Sequence, residues 1–450
     1  MATEPISGAL MYPEFESRAP IVSHAKGIWI YDVNGKDYID GSSGAMTVSI
    51  GHGQEGVARA AYEQIRSIAF SYRSQFRNEP AETLAQNIVS LAQDKAFAFF
   101  MNSGSEANEA AYRIALQYWK AKGKSAKRKV IGRAPSNHGN TIGTLSIAHD
   151  VRRDEIADVV IPGSDAKLAP CYCYRCPFGK SPSSCQTECA RDLERIVLEI
   201  GPESIAAFFA EPITGALGGA LTPPANYFSI VRDICNRYEI LLVADEVVSG
   251  FGRTGSWFAM HQWSVTADIS VIGKGLAGGY TPLSGCLVTK DVGETLAECG
   301  RIPIGHTHSA NPLSASIANA VLAYMQEQRL VDLVAGKAAR LEQGLRGLSL
   351  RHPLIGDVRG RGLLWALEFV GERTTKAPLA RAGNYTANVV RAARDAGLVV
   401  YPCRGLDPLR RFGGGDAILL APPLVITNEE IDILLQRLDV ALANAKVAIQ

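Results

Sequence analysis

Two short, fully apolar runs that each lead into charged side chains constrain this chain more than any other feature. Ile240, Leu241, Leu242 and Val243 form the first and lead into Asp245 and Glu246; Ile269 to Ile272 forms the second and leads into Lys274, between Gly273 and Gly275. Runs of this length and composition read as strands buried on both faces, the condition of a parallel sheet covered by helices. Ligands of open parallel sheets sit at the carboxyl ends of the strands. An acid and a lysine delivered there from two strands therefore face one ligand. Read singly, they are an acid at a strand end and a lysine in a glycine-rich loop.

The pairing suits pyridoxal phosphate. That cofactor is held as a Schiff base on a lysine and becomes an electron sink while its pyridine nitrogen stays protonated, which a buried carboxylate enforces. Lys274 is the expected Schiff-base lysine and Asp245 the expected pyridinium partner. The flanking glycines let the backbone pass close to a ring without Cβ clashes. Upstream, the strand Phe97 to Met101 runs into Asn102-Ser103-Gly104-Ser105-Glu106 ahead of a helical stretch, Ala107 to Lys120. A glycine-serine turn at a helix start offers free N–H groups, hydroxyls and the positive end of the helix dipole, which together cradle a phosphate. Gly104 and Ser105 are the residues expected there; alone, such a turn is only an N-cap.

Taken together, DEVVSGFGRTG, the downstream GKG lysine and the upstream MNSGSEANEAA resemble the class III (omega) aminotransferases of the fold type I pyridoxal phosphate enzymes, from about Gly27 to Ile431. The resemblance implies an α/β fold: a mostly parallel, doubly wound sheet in a large domain over residues 61–312, and a smaller α/β domain from residues 1–60 and 313–450. It implies transfer of an amino group from an amine or an omega- or beta-amino acid to an oxo acid, pyruvate before 2-oxoglutarate, in ping-pong fashion within a homodimer that shares its active sites. Racemases, aminomutases and decarboxylases of the same fold use the same machinery and stand as the alternative, since the site rather than the fold decides function.

The resemblance also assigns further residues. Asn137 and His138 face the cofactor, although Asn137 stands where the family usually stacks an aromatic ring; Val247 packs on the opposite face, and Glu211 ends the strand Ile205 to Ala210. Thr307 matches a threonine that reaches the phosphate of the neighbouring subunit's cofactor, with His308 in place of tyrosine. Met46, in the segment that matches the family's pocket loop, is a pocket-wall candidate against ordinary packing; Tyr72 is another by its own residue type, an aromatic in a connecting loop, against a plain surface loop. One of Arg404, Arg410 and Arg411, with Arg411 first, is expected to bind a substrate carboxylate. Thr214 and Ala216 occupy the places of a Gln and a Glu that gate the pocket in glutamate users, which argues for pyruvate.

Composition excludes other classes. The 450 residues are 47% hydrophobic and 20% charged with a net charge of +1, so nothing favours nucleic acid or an acidic membrane surface. No basic start followed by an apolar core marks a signal peptide, and no run approaches the ~18 apolar residues of a membrane helix, so a cytoplasmic protein is expected. Five of nine cysteines cluster at Cys171, Cys173, Cys176, Cys185 and Cys189. Their spacing would suit a zinc knuckle, but the segment reads as a turn-rich insert and no metal is expected. Periodicity predicts a hairpin turning at Asn34-Gly35, one long helix from Leu313 through Leu345, and strands over Val358 to Phe369 and Leu398 to Pro402.

Overall fold

The computed structural model describes residues 19–148, 151–161, 167–181, 183–300, 304–379, 384–406 and 415–446. Its largest sheet has seven strands in the order Phe97–Met101, Ser284–Val288, Ile269–Ile272, Leu241–Asp245, Ile205–Ala210, Lys129–Arg133 and Lys167–Leu168. Only Ser284–Val288 runs against the rest. Every residue of Ile205–Ala210, Leu241–Asp245 and Ile269–Ile272 is buried, as a parallel sheet covered on both faces requires.

Alternation along the strands divides the core. Phe209, Leu241 and Val243 pack with Ala107, Ala111 and Ile114 of the helix Gly104–Ala121, while Phe208, Leu242 and Ala244 pack with Leu193 and Val231 of the helices Glu188–Ile200 and Tyr227–Arg237. The sheet is thus wound on both sides, and Asn102, Glu211, Asp245 and Lys274 all emerge along one edge.

Two four-stranded sheets come from the ends of the chain. Val22–Lys26, Trp29–Asp32 and Asp37–Asp40 join Leu398–Val399, with Leu398 paired in parallel to Ile39. Ile355–Arg361, Leu364–Phe369, Gly415–Leu420 and Tyr401–Gly405 form the other. The hairpin at Asn34-Gly35 is present, with Gly35 at φ +81°.

Three expectations need correction. The long helix from Leu313 is two helices, Pro312–Glu327 and Leu330–Arg351, broken where Arg329 takes a φ of +49°. Val358 to Phe369 is two antiparallel strands turning at Gly362, whose φ is +60° and where a Cβ would lie 2.5 Å from the Thr254 carbonyl carbon. Leu398 to Pro402 splits between sheets, because Leu398–Val399 pairs with Asp37–Asp40 and Tyr401–Gly405 with Gly415–Leu420. Among the described residues, no helix is long and apolar enough to cross a membrane.

Candidate active site

A cavity of about 340 Å³ opens along the carboxyl edge of the large sheet, lined by Asp245, Lys274, Gly104 and Ser105 among others. Asp245 is buried at its floor. Its Oδ2 accepts from Asn108 Nδ2 at 2.9 Å and lies 2.8 Å from His138 Nδ1; among the described residues its Oδ1 accepts only the Val247 N–H, at 3.1 Å. Because an ionised carboxylate can only accept, the short contact assigns the histidine's proton to Nδ1. His138 is itself buried, edge-on to Phe209 at 5.8 Å between centroids. The acid is thus fixed from behind, and Oδ1 keeps accepting capacity towards the cavity.

Lys274 follows Ile269–Ile272 and holds a φ of +40°, a strained value for a residue with a Cβ. Its Nζ donates to the Ala45 carbonyl at 2.7 Å. Burial lowers the amine from 10.5 to about 8, against the opposing pull of Asp245 and Glu211; Arg253 adds to the lowering. The Ala45 loop is anchored from below, where buried Arg253 donates through Nη1 to the carbonyls of Leu363 and Pro422 and through Nη2 to Ser43 Oγ.

At the other end of the cavity the helix Gly104–Ala121 begins. Ser103 caps it by accepting from the Glu106 N–H at 3.2 Å, and the Gly104 and Ser105 N–H groups have no protein acceptor among the described residues. A Cβ at Gly104 would press on the Val247 methyls at 3.3–3.4 Å, and one at Gly139 would come within 2.5 Å of Ser105 Oγ. The turn is therefore close-packed around two unused donors at the positive end of an 18-residue helix.

The remaining sequence-predicted residues divide. Asn137, Val247, Glu211 and Met46 all line the cavity. Glu211 is buried, and burial pushes its carboxyl above the ordinary value; its Oε2 accepts from the Asn137 N–H at 3.1 Å and its Oε1 from the Gly215 N–H at 3.0 Å. Met46 is both wall and core, at a φ of +60°. Ala216 lines the cavity, whereas Thr214 is buried away from it and accepts from the Leu221 N–H at 2.9 Å.

Tyr72, at 56% exposure, does not line its own chain's cavity, nor does exposed Thr307. Arg404 is exposed and outside the cavity lining, while Arg410 and Arg411 lie outside the described residues. Sequence reasoning missed Asn108 and Arg152. Asn108 lies one helical turn beyond Gly104 and could have been read from that spacing; Arg152 carried no local signal. Among the described residues no three His, Cys, Asp or Glu side chains are grouped to hold a metal ion, and the five clustered cysteines are all free thiols.

Comparison with known proteins gives a consistent picture. The family described as Aminotransferase class-III matches residues 13–442. The uncharacterized aminotransferase YodT of Bacillus subtilis is 40% identical over 96% of this chain and 96% of its own length. The putrescine–pyruvate aminotransferase of Pseudomonas aeruginosa is 34% identical over 93% of this chain and 90% of its own. Among solved structures, the omega transaminase of Pseudomonas jessenii in complex with PMP superposes with a TM-score of 0.88 at 32% identity, covering 95% of this chain and 93% of that one.

Proposed function

We propose that this chain, which belongs to the class III aminotransferases, moves an amino group from an amine or an omega- or beta-amino acid to an oxo acid, pyruvate first, in two half-reactions at one cavity. The observation that carries this reading is that a lysine, a fixed acid and an unused helix N-terminus line a single cavity. Pyridoxal 5′-phosphate is the cofactor of this family, and when bound it supplies an electrophilic carbon for amines and an electron sink for the bond broken beside them.

The chain's residues fit that group. The Gly104 and Ser105 N–H groups would take its phosphate, and Asp245 Oδ1 would take its ring N–H, with Val247 and Asn137 at the ring faces and Glu211 behind Asn137. His138 and Asn108 hold the Asp245 carboxyl in place, where it would face the ring nitrogen. Lys274 would hold the cofactor through its Nζ, and a free Nζ has the Ala45 carbonyl as a partner, 2.7 Å away in this structure. An amine lowered to about 8 exchanges protons readily near neutral pH, which suits it to move the proton between substrate and cofactor.

Acceptor choice follows from Ala216. A second carboxylate, as in 2-oxoglutarate, needs a cationic partner that must itself be neutralised when an uncharged donor enters; Ala216 offers no acid for that purpose. Pyruvate avoids the requirement. The reading extends to a cytoplasmic homodimer with shared sites. Tyr62, Ile65, Phe70 and Phe76 are exposed apolar side chains suited to contact with a second copy, and His308 lies edge-on to Phe70 at 5.9 Å, next in the chain to Thr307. A monomer that keeps full activity on dilution would remove the shared-site part.

The test is a donor half-reaction. Cofactor-loaded protein mixed with a panel of amines and no oxo acid should release one equivalent of carbonyl product per site and then stop. Continued turnover would mark a racemase, mutase or decarboxylase. Adding pyruvate should then restore the resting absorbance faster than 2-oxoglutarate does; the reverse order would remove the acceptor assignment.

A further inference from the structure

The cavity wall at Asn137 has a support that the family resemblance gave no reason to expect. From the short helix Val151–Asp154, Arg152 sends Nη2 to Asn137 Oδ1 at 3.0 Å and Nη1 to Asn140 Oδ1 at 2.7 Å. Both asparagines line the cavity. A guanidinium has donors only, so each amide must turn its oxygen to Arg152 and its NH2 group away. The Gly139 N–H, 3.3 Å from Asn137 Oδ1, fixes the same orientation, and the Asn140 N–H is held by Ser105 Oγ at 3.1 Å. Neither amide nitrogen has a protein acceptor among the described residues. The wall is therefore lined by donors, with a positive charge behind it that also acts on the Tyr401 hydroxyl.

Such a wall selects for an anion. Among the described residues lining the cavity, Lys274 is the only lysine or arginine, and it is committed to the cofactor. Every oxo acid acceptor nonetheless carries a carboxylate that must be recognised. Resting on the aminotransferase reading, we propose that Arg152 is a positioning residue that locks Asn137 and Asn140 as paired NH2 donors, and that this pair binds the carboxylate of the oxo acid acceptor. Two neutral donors backed by a charge recognise a carboxylate without placing a guanidinium in the cavity, so an uncharged amine can occupy the same space in the other half-reaction.

The experiment compares Arg152→Gln, Arg152→Lys and Asn140→Leu in the cofactor-loaded enzyme. Losing hydrogen bonds to a charged group should raise the KM for pyruvate about tenfold in Arg152→Gln and Asn140→Leu, with kcat changed much less. Arg152→Lys, which restores charge without the fork, should recover part of the loss. The Kd of propionate, an unreactive carboxylate read from the cofactor's absorbance, should weaken in parallel. Pyruvate KM and propionate Kd both within twofold of the parent enzyme would overturn the proposal, as would a cofactor Kd that weakens as much as the pyruvate KM. If the parent enzyme transfers no amino group at all, the aminotransferase reading fails on its own, and the propionate titration still decides whether the two amides form a carboxylate site.

Discussion

The floor of the cavity and its wall are built by different means. The floor is delivered by strand ends: Asp245 ends the fully buried Leu241–Asp245, Lys274 follows its fully buried neighbour Ile269–Ile272, and the Gly104–Ser105 turn follows Phe97–Met101, which lies beyond Ser284–Val288 in the same sheet. The wall is delivered by loops and a short helix, where Asn137, Asn140 and Arg152 hold one another. A floor fixed by main-chain pairing can carry the chemistry common to a whole family. A wall fixed by side-chain hydrogen bonds can differ from one member to the next at little cost to the fold. Main-chain pairing thus fixes the strand ends, and side-chain hydrogen bonds fix the wall.

The first way to test that division is at the floor. Lys274→Ala should lower turnover by roughly 10⁴-fold or more and abolish the cofactor adduct trapped by borohydride, since both covalent and acid–base roles are lost. A trapped adduct on another lysine, seen by peptide mass, would contradict the assignment. Asp245→Asn should follow, with a loss on the order of 10²–10³-fold and unchanged secondary structure, because the protonated ring would lose a buried charge partner. Near-normal rates would mean that the ring nitrogen relies on another group.

Lys274 offers a finer test. Its amine is lowered to about 8 chiefly by burial, so its neutral, reactive fraction rises as pH passes through about 8 rather than 10.5. Competitive acylation of the cofactor-free protein should therefore label Lys274 with a midpoint near 8, while exposed lysines keep the ordinary one. A midpoint at the ordinary value would show that the fold does not activate the amine. The smallest effect belongs outside the cavity: Arg404→Ala should change the pyruvate KM by less than about twofold, as surface substitutions usually do little. A tenfold rise would move carboxylate recognition to that loop and away from Asn137 and Asn140.

The floor was legible in the sequence and the wall was not. Short apolar runs flanked by glycine and charge report a strand and its end together, so the placement of Asp245, Lys274 and Gly104–Ser105 at strand ends could be read locally, while their grouping around one ligand came only from taking the motifs together. The helix break at Arg329 has no proline or glycine to announce it, and the apolar period continues across it. Gly362 does mark the turn between two strands, and it closes Arg359-Gly360-Arg361-Gly362, so a single strand over Val358 to Phe369 passes over a visible break. Arg152 meets Asn137 across 15 residues, through an arrangement set by where the helix Val151–Asp154 docks. No local pattern encodes such a contact. Thr307 and Tyr72 are a different case: the resemblance assigns the first to a cavity, and its place as an aromatic in a connecting loop suggests the second, yet their own chain brings neither to that cavity.

The most direct measurement follows the nitrogen. Cofactor-loaded protein given a ¹⁵N-labelled amine donor and pyruvate should pass the label to alanine, one equivalent for each equivalent of donor carbonyl product, with none released as ammonia. Label that stays on the donor skeleton or appears as ammonia, while the donor is consumed, would contradict amino-group transfer as the function of this cavity.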